Sequence, residues 1–168
     1  MTASDAAVTI SHQPKPQTDW VLTDAPTPED VAVISDALDR FNIDHTGIAD
    51  RRPLAVLVHD PETRQVVGGL TGRTSLGLFF LDLFYLPPRL RGSGLGTEIL
   101  RQAEDESRAR GCRTAVLYTI TFQAPGVYQK HGWQRLGEVP CDPPGTSRVF
   151  MTKELTASTA DNAHRCRR

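Results

Sequence analysis

The stretch LFYLPPRLRGSGLGTEIL, from Leu83 to Leu100, decides how this chain is read. Gly92, Gly94 and Gly96 alternate with Ser93 and Leu95, and Arg89 and Arg91 stand just ahead. The apolar run LGLFFLDLFYL precedes the glycines, and Leu95, Ile99, Leu100 and Ala103 follow at helical spacing. A strand therefore turns into a helix through glycine. Glycine lets a ligand approach the backbone because no Cβ intervenes. The N–H groups of a helix start then form a cradle for an anion. A tight turn is the plainer alternative. The spacing G-x-G-x-G misses the dinucleotide fingerprint G-x-G-x-x-G by one residue, and no Lys-Ser or Lys-Thr follows to make a nucleotide-triphosphate loop.

The rest of the chain sets the context. Its 168 residues, 39% hydrophobic and 23% charged, fit one globular domain. A formal net charge of −1 offers no global field for nucleic acid or an anionic membrane. No apolar run reaches the roughly 20 residues of a membrane span. The three cysteines show no zinc or redox spacing, so a reducing cytoplasm is the expected setting. Residues 1–19 read as a flexible arm, 20–156 as the single folded domain and 157–168 as a basic, disordered tail carrying His164 and Cys166.

Within the domain, WVLT from Trp20 reads as a strand, and TPED starts a helix with Thr27 as cap and Pro28 at its first position. An irregular loop is expected from Asn42 to Pro53. LAVLV, VVGGLTGRTS and LGLFFLDLFYL read as strands, the last buried on both faces and central in its sheet. The helix after the glycines ends at Gly111, with Glu104–Arg108 and Glu106–Arg110 pairs on its wet face. TAVLYTI, a short helix in APGVYQKHG, and two late strands complete the order. This predicts an α/β (α+β) domain: a mixed, mostly antiparallel sheet of about six to seven strands with about three to four helices.

RGSGLG, within LPPRLRGSGLG, resembles the V-x-P-x-x-R-G-x-G-x-G run of the GNAT superfamily of acetyl-CoA-dependent N-acetyltransferases, with Leu86 in the valine position. A second family pattern, N-x-x-A-x-x-x-Y-x-x-x-G-F, is similar to Thr121, Ala124, Tyr128, Gly132 and Trp133. The resemblance spans Val21 to Leu155. It implies a GNAT-like fold and direct acetyl transfer from acetyl-CoA, without metal, to an amine. It also implies a cofactor groove of Phe84, Tyr85, Leu86, Arg91, Gly92, Ser93, Gly94, Leu95, Gly96, Thr97, Thr121, Ala124 and Tyr128. In that scheme the strand before the loop splays from its neighbour at a bulge. The N–H of Leu86 then polarises the thioester, and Tyr128 gives a proton to the leaving thiolate. Thr121 replaces an asparagine of the family, which weakens one pantetheine contact.

On the acceptor side, Asp82 lies among Phe80, Phe84 and Leu86 at alternate positions, a costly place for a carboxylate unless it is paired or acts as a base. Tyr118 on the following strand, Asp44 and His45 in the first loop, and Glu138 and Asp142 near the late turn are further acceptor-side candidates. The preferred acceptor is a small cationic amino sugar of the aminoglycoside type. FQAPG, from Phe122 to Gly126, adds a resemblance to kasugamycin-type aminoglycoside acetyltransferases. A protein or peptide amine would instead need an open groove. A non-catalytic acetyl-CoA sensor would keep the phosphate loop without needing Tyr128 or Asp82. The family resemblance also implies a homodimer, with the Pro-rich loop and last strands as its interface; the charge balance and the lack of a long apolar run imply no nucleic-acid or membrane partner.

Overall fold

The computed structural model describes residues 18–123 and 125–155. The expected arm up to residue 17, the basic tail and Ala124 lie outside them. The chain divides between Leu38 and Asp39 into two compact units.

In the first unit, WVLT forms no strand. Trp20, Val21 and Leu22 are exposed, and no other strand pairs with them among the described residues. An extended segment without a ladder partner leaves its backbone groups to water, so propensity alone does not make a strand. TPED behaves as expected. Thr27 Oγ1 accepts from the N–H of Asp30 at 3.1 Å, and Asp30 accepts in return from the Thr27 N–H at 3.1 Å. This reciprocal cap starts helix α1 (Pro28–Thr46) and lowers the carboxyl pKa of Asp30 through the Thr27 hydrogen bonds.

The second unit begins inside α1, which runs five residues into the segment expected as loop. Ile43 continues the apolar spacing. The helix stops where Thr46 bonds back to the Asn42 carbonyl at 2.7 Å and Gly47 takes φ +70°. Six strands follow among the described residues: β1 (Arg52–His59), β2 (Val66–Ser75), β3 (Leu78–Tyr85), β4 (Thr114–Ile120), β5 (Gln134–Cys141) and β6 (Thr146–Glu154). Helix α2 (Leu95–Ala109) joins β3 to β4, and α3 (Pro125–Lys130) joins β4 to β5. The sheet order is β1-β2-β3-β4-β6-β5. Only β3 and β4 run parallel, as a strand–helix–strand crossover requires; every other pair is antiparallel.

The core lies between α2 and one face of the sheet. Phe79, Leu70, Val149 and Met151 are fully buried and meet Ile99, Leu100 and Ala103 of α2. Each such side chain contributes about 1.5–3 kcal/mol by leaving water. β3 is central, as expected, but it is not buried on both faces: Leu83 and Tyr85 are more than half exposed. Glu104 departs furthest from expectation. It is buried at 4% exposure rather than on the wet face of α2. Trp133 Nε1 donates to it at 3.0 Å and Lys153 Nζ lies 2.6 Å away, with Arg108 at 3.4 Å. A carboxylate on the buried stripe is tolerable because Trp133, in the connection before β5, and Lys153 of β6 bring it donors. No helix among the described residues is long and apolar enough to cross a membrane.

Candidate active site

β3 and β4 pair only from Leu78–Phe80 to Thr114–Val116. Both strands continue beyond that point, β3 to Tyr85 and β4 to Ile120, with no further pairing between them. The sheet therefore opens into a V at its centre. The cause is local. Across β2, Thr71 faces Leu83 while Gly72 faces Leu81, so Asp82 is an extra residue and β3 bulges there. Glycine is required opposite the bulge, because a Cβ on Gly72 would lie 2.2 Å from the Phe80 carbonyl oxygen.

The bulge also resets the side-chain alternation. Phe79 and Leu81 are buried before it; Phe84 and Leu86 turn to the core after it. Asp82 therefore does not share a face with Phe84 and Leu86, contrary to the expected period of two. It stays with Phe80 on the outer face and is paired with Arg73 at 2.5 Å. Arg73 in turn lies over the Phe80 ring, 4.6 Å from its centroid. The ion pair answers how that strand tolerates a carboxylate.

At the end of β3 the chain makes one tight turn at Pro88–Leu90. Arg91 folds back, its Nε donating to the Leu86 carbonyl at 2.7 Å and its guanidinium resting 5.7 Å from the Tyr85 ring. Arg89 turns elsewhere and pairs with Asp60 at 3.3 Å. Gly92 and Gly94 take φ +77° and +87°, and no atom lies within 4 Å of where a Cβ would stand on either. None of the backbone N–H groups from Gly92 to Thr97 has an acceptor among the described residues, and neither has that of Leu86. Glu98 begins the helical ladder by donating to Gly94. Six consecutive open donors at the positive end of a 15-residue helix, flanked by Arg91, are chemically suited to a pyrophosphate.

Tyr128 of α3 lies beside the core and packs edge-on to Trp133, with ring centroids 6.0 Å apart. Burial pushes its phenol up to about 12, and no hydrogen bond engages its hydroxyl among the described residues. The proton is thus held at every physiological pH and remains available to a ligand. Trp133 is itself held by Glu104, so the buried carboxylate braces the tyrosine from behind. His131 closes the groove at 3.2 Å from Thr97 Oγ1. Thr121 Oγ1 accepts from the Ser147 N–H at 3.3 Å, which ties β4 to β6.

The acceptor-side candidates are less gathered. Tyr118 stands on the outer face of β4, two residues past its last position paired with β3, with Phe150 at 6.0 Å and the Arg148 guanidinium 5.1 Å from its ring. Asp44 and His45 sit in the last turn of α1 rather than in a loop. The His45 and Phe41 rings meet at 4.5 Å, tilted by 34°, and no hydrogen bond among the described residues joins Asp44 or His45 to the V. Glu138 faces Arg135 at 3.5 Å, and Asp142 is exposed in the β5–β6 turn. Arg73, Glu104 and Arg148 were not singled out from sequence as partners of the site. Glu104 carried a signal: with Leu100, Ala103 and Ser107 it completes the buried helical stripe.

Three comparisons bear on this geometry. Residues 18–133 match the acetyltransferase (GNAT) family. An acetyltransferase of Agrobacterium fabrum is 30% identical over 136 residues, covering 81% of this chain and 98% of its own. The blasticidin-S acetyltransferase of Streptomyces morookaense is 34% identical over 113 residues, 66% of this chain and 83% of that one. Among solved structures, a protein of Agrobacterium tumefaciens assigned as an acetyltransferase superposes with a TM-score of 0.73 at 30% identity. That match covers 82% of this chain and 99% of the other.

Proposed function

This chain belongs to the GNAT family of acetyltransferases and is an acetyl-transfer enzyme, and from that premise we propose that its acceptor is the primary amine of a small cationic molecule. The observation that carries the reading is the alignment of two open features. The V between β3 and β4 exposes a strand edge, and that edge runs into the open N–H run of Gly92 to Thr97. A long, narrow ligand with a pyrophosphate near one end fits both. Acetyl-CoA, the donor of the family, has that form and supplies the acetyl group as a thioester.

In this proposal Gly92, Ser93, Gly94, Leu95, Gly96 and Thr97 hold the pyrophosphate by backbone N–H groups, with Arg91 adding charge. Phe84, Tyr85 and Leu86 present the strand edge. The Leu86 N–H donates toward the acyl oxygen, where negative charge develops. Tyr128 holds a proton at Oη for the departing sulfur. Thr121 lines the far wall. Asp82, ion-paired to Arg73, draws in the ammonium form of the acceptor and relays its proton through water. Tyr118 closes the acceptor side. Glu138 and Asp142 add negative charge at its margin, and Asp44 and His45 form its outer wall.

The small-molecule reading is supported by the relative named for blasticidin S. An amino sugar of the aminoglycoside type is the acceptor that the sequence favours within that class. The expected homodimer would use edge strand β5, whose Leu136 and Val139 are exposed. The test is a screen of aminoglycosides, polyamines and amino acids with acetyl-CoA, reading free thiol. Turnover of at least one small amine is expected; turnover of none, with a peptide amine accepted instead, overturns the proposal.

A further inference from the structure

The outer face of the sheet beside the V carries two arginines in different electrical states. Arg73 on β2 is neutralised by Asp82. Arg148 on β6 is exposed and has no carboxylate or backbone acceptor among the described residues. It is nonetheless placed. Its guanidinium lies over the ring of Tyr118, 5.1 Å from the centroid, and Tyr118 is backed by Phe150. Cross-strand register puts these side chains together. Phe80 pairs with Val116, Tyr118 stands two residues beyond Val116 and faces Phe150, and Arg148 stands two residues before Phe150. Asp82 stands two residues beyond Phe80, on the other lip of the opening.

We infer that Arg148 is a specificity-determining residue that anchors a carboxylate on the acceptor. The acceptor is then a primary amine that also carries a carboxylate. This inference rests on the acetyl-transfer reading above, keeps its small primary amine and replaces the purely cationic amino sugar with a zwitterion. A stacked guanidinium presents its N–H fork in a fixed plane, suited to a planar carboxylate and less suited to a lone hydroxyl. The Arg148 guanidinium over Tyr118 donates to no acceptor among the described residues, which leaves its N–H groups to a ligand. Arg73 bonds only Oδ1 of Asp82 among the described residues, so Oδ2 on one lip and Arg148 on the other match the two ends of a zwitterion, the ammonium to the first and the carboxylate to the second. A purely cationic acceptor would meet an unneutralised cation at that lip and gain nothing from it.

The test uses matched primary amines, lysine with cadaverine and phenylalanine with phenethylamine, on the full chain with acetyl-CoA, reading thiol release. The carboxylated member of each pair should be the better substrate. Arg148→Gln should raise its KM by about 10- to 100-fold with kcat within about threefold, and should leave the decarboxylated partner unchanged. Arg148→Lys should recover part of the loss. Acetyl-CoA affinity should be the same in all three proteins. Equal use of both members, or an equal effect of Arg148→Gln on both, overturns the inference while leaving acetyl transfer standing. If none of these four amines turns over, the small-amine reading of the acceptor fails. The anchor is then decided by calorimetry of N-acetyl-lysine and its methyl ester on the CoA-loaded protein. Preference for the free acid that disappears in Arg148→Gln supports it; equal binding, or none, overturns it.

Discussion

Replacing Glu104 by alanine should cost this protein more stability than any substitution in the cofactor loop. The carboxylate is 4% exposed and receives the Trp133 indole N–H at 3.0 Å and the Lys153 ammonium at 2.6 Å. Trp133 is 2% exposed, so its N–H has no route to water once Glu104 is gone. A stranded buried donor costs about 1–3 kcal/mol. Lys153, with its side chain 18% exposed, is left as a partly buried charge without its nearest anion. Breaking a buried pair from one side costs about 3–5 kcal/mol, which sets the scale of the whole effect. For a folded unit of this size that is a fall in Tm of roughly 10–15 °C. Urea melts of the wild type, Glu104→Ala and the double variant Glu104→Met with Lys153→Met would measure it. Removing both charges should restore part of the loss, since the double variant leaves no unpaired charge. A loss below about 1 kcal/mol for Glu104→Ala, or a double variant worse than the single, would refute the reasoning. Because Trp133 backs Tyr128, kcat should also fall under conditions where the variant is still folded.

Tyr128→Phe should lower kcat by about 100- to 1000-fold with acetyl-CoA affinity unchanged, and an unaltered kcat in stopped-flow thiol release would remove the tyrosine from the proton step. The same residue predicts an alkaline effect. Its phenol is raised from 10 to about 12 in the folded chain, so its contribution is complete below pH 10 and is lost as pH climbs to 12. Wild type should therefore lose about 2–3 kcal/mol more than Tyr128→Phe across that window in denaturant titrations. Gly94→Ala should weaken acetyl-CoA binding by about tenfold or more, because the new methyl group enters the cradle and the residue must keep φ +87°. Its own stability cost should be about 1–2 kcal/mol, and calorimetry showing unchanged affinity would argue against the cradle. Asp82→Asn should lower kcat/KM most at pH values where the acceptor amine is protonated and least where it is neutral. A pH-independent loss would make Asp82 a structural partner of Arg73 only.

Much of the fold was legible because it is written in local patterns. The Thr27 cap, the stop at Gly111 and the strand–glycine–helix turn each depend on a few neighbouring residues, and each forms as read. The backbone half of the site was legible for the same reason, since alternating glycines before a helical stripe leave few conformations. What failed was non-local. WVLT has strand propensity but no ladder partner. A one-residue bulge at Asp82 moved Phe84 and Leu86 to the opposite face, and no periodicity announces a bulge before the register of the neighbouring strand is known. Glu104 was placed on the wet face by its spacing to Arg108, whereas Trp133 and Lys153, 29 and 49 residues away in sequence, provide for its burial. The Arg73–Asp82 and Arg148–Tyr118 contacts are likewise cross-strand, and sequence spacing carries no sign of them.

The most direct test of the central claim is an amide-resolved NMR titration of the protein with acetyl-CoA. The account predicts saturable shifts concentrated at the open N–H groups, those of Leu86 and of Gly92 through Thr97, with smaller changes around Tyr128. Acetyl-CoA that saturates the protein while the amides of Gly92, Gly94 and Gly96 stay in place would contradict it.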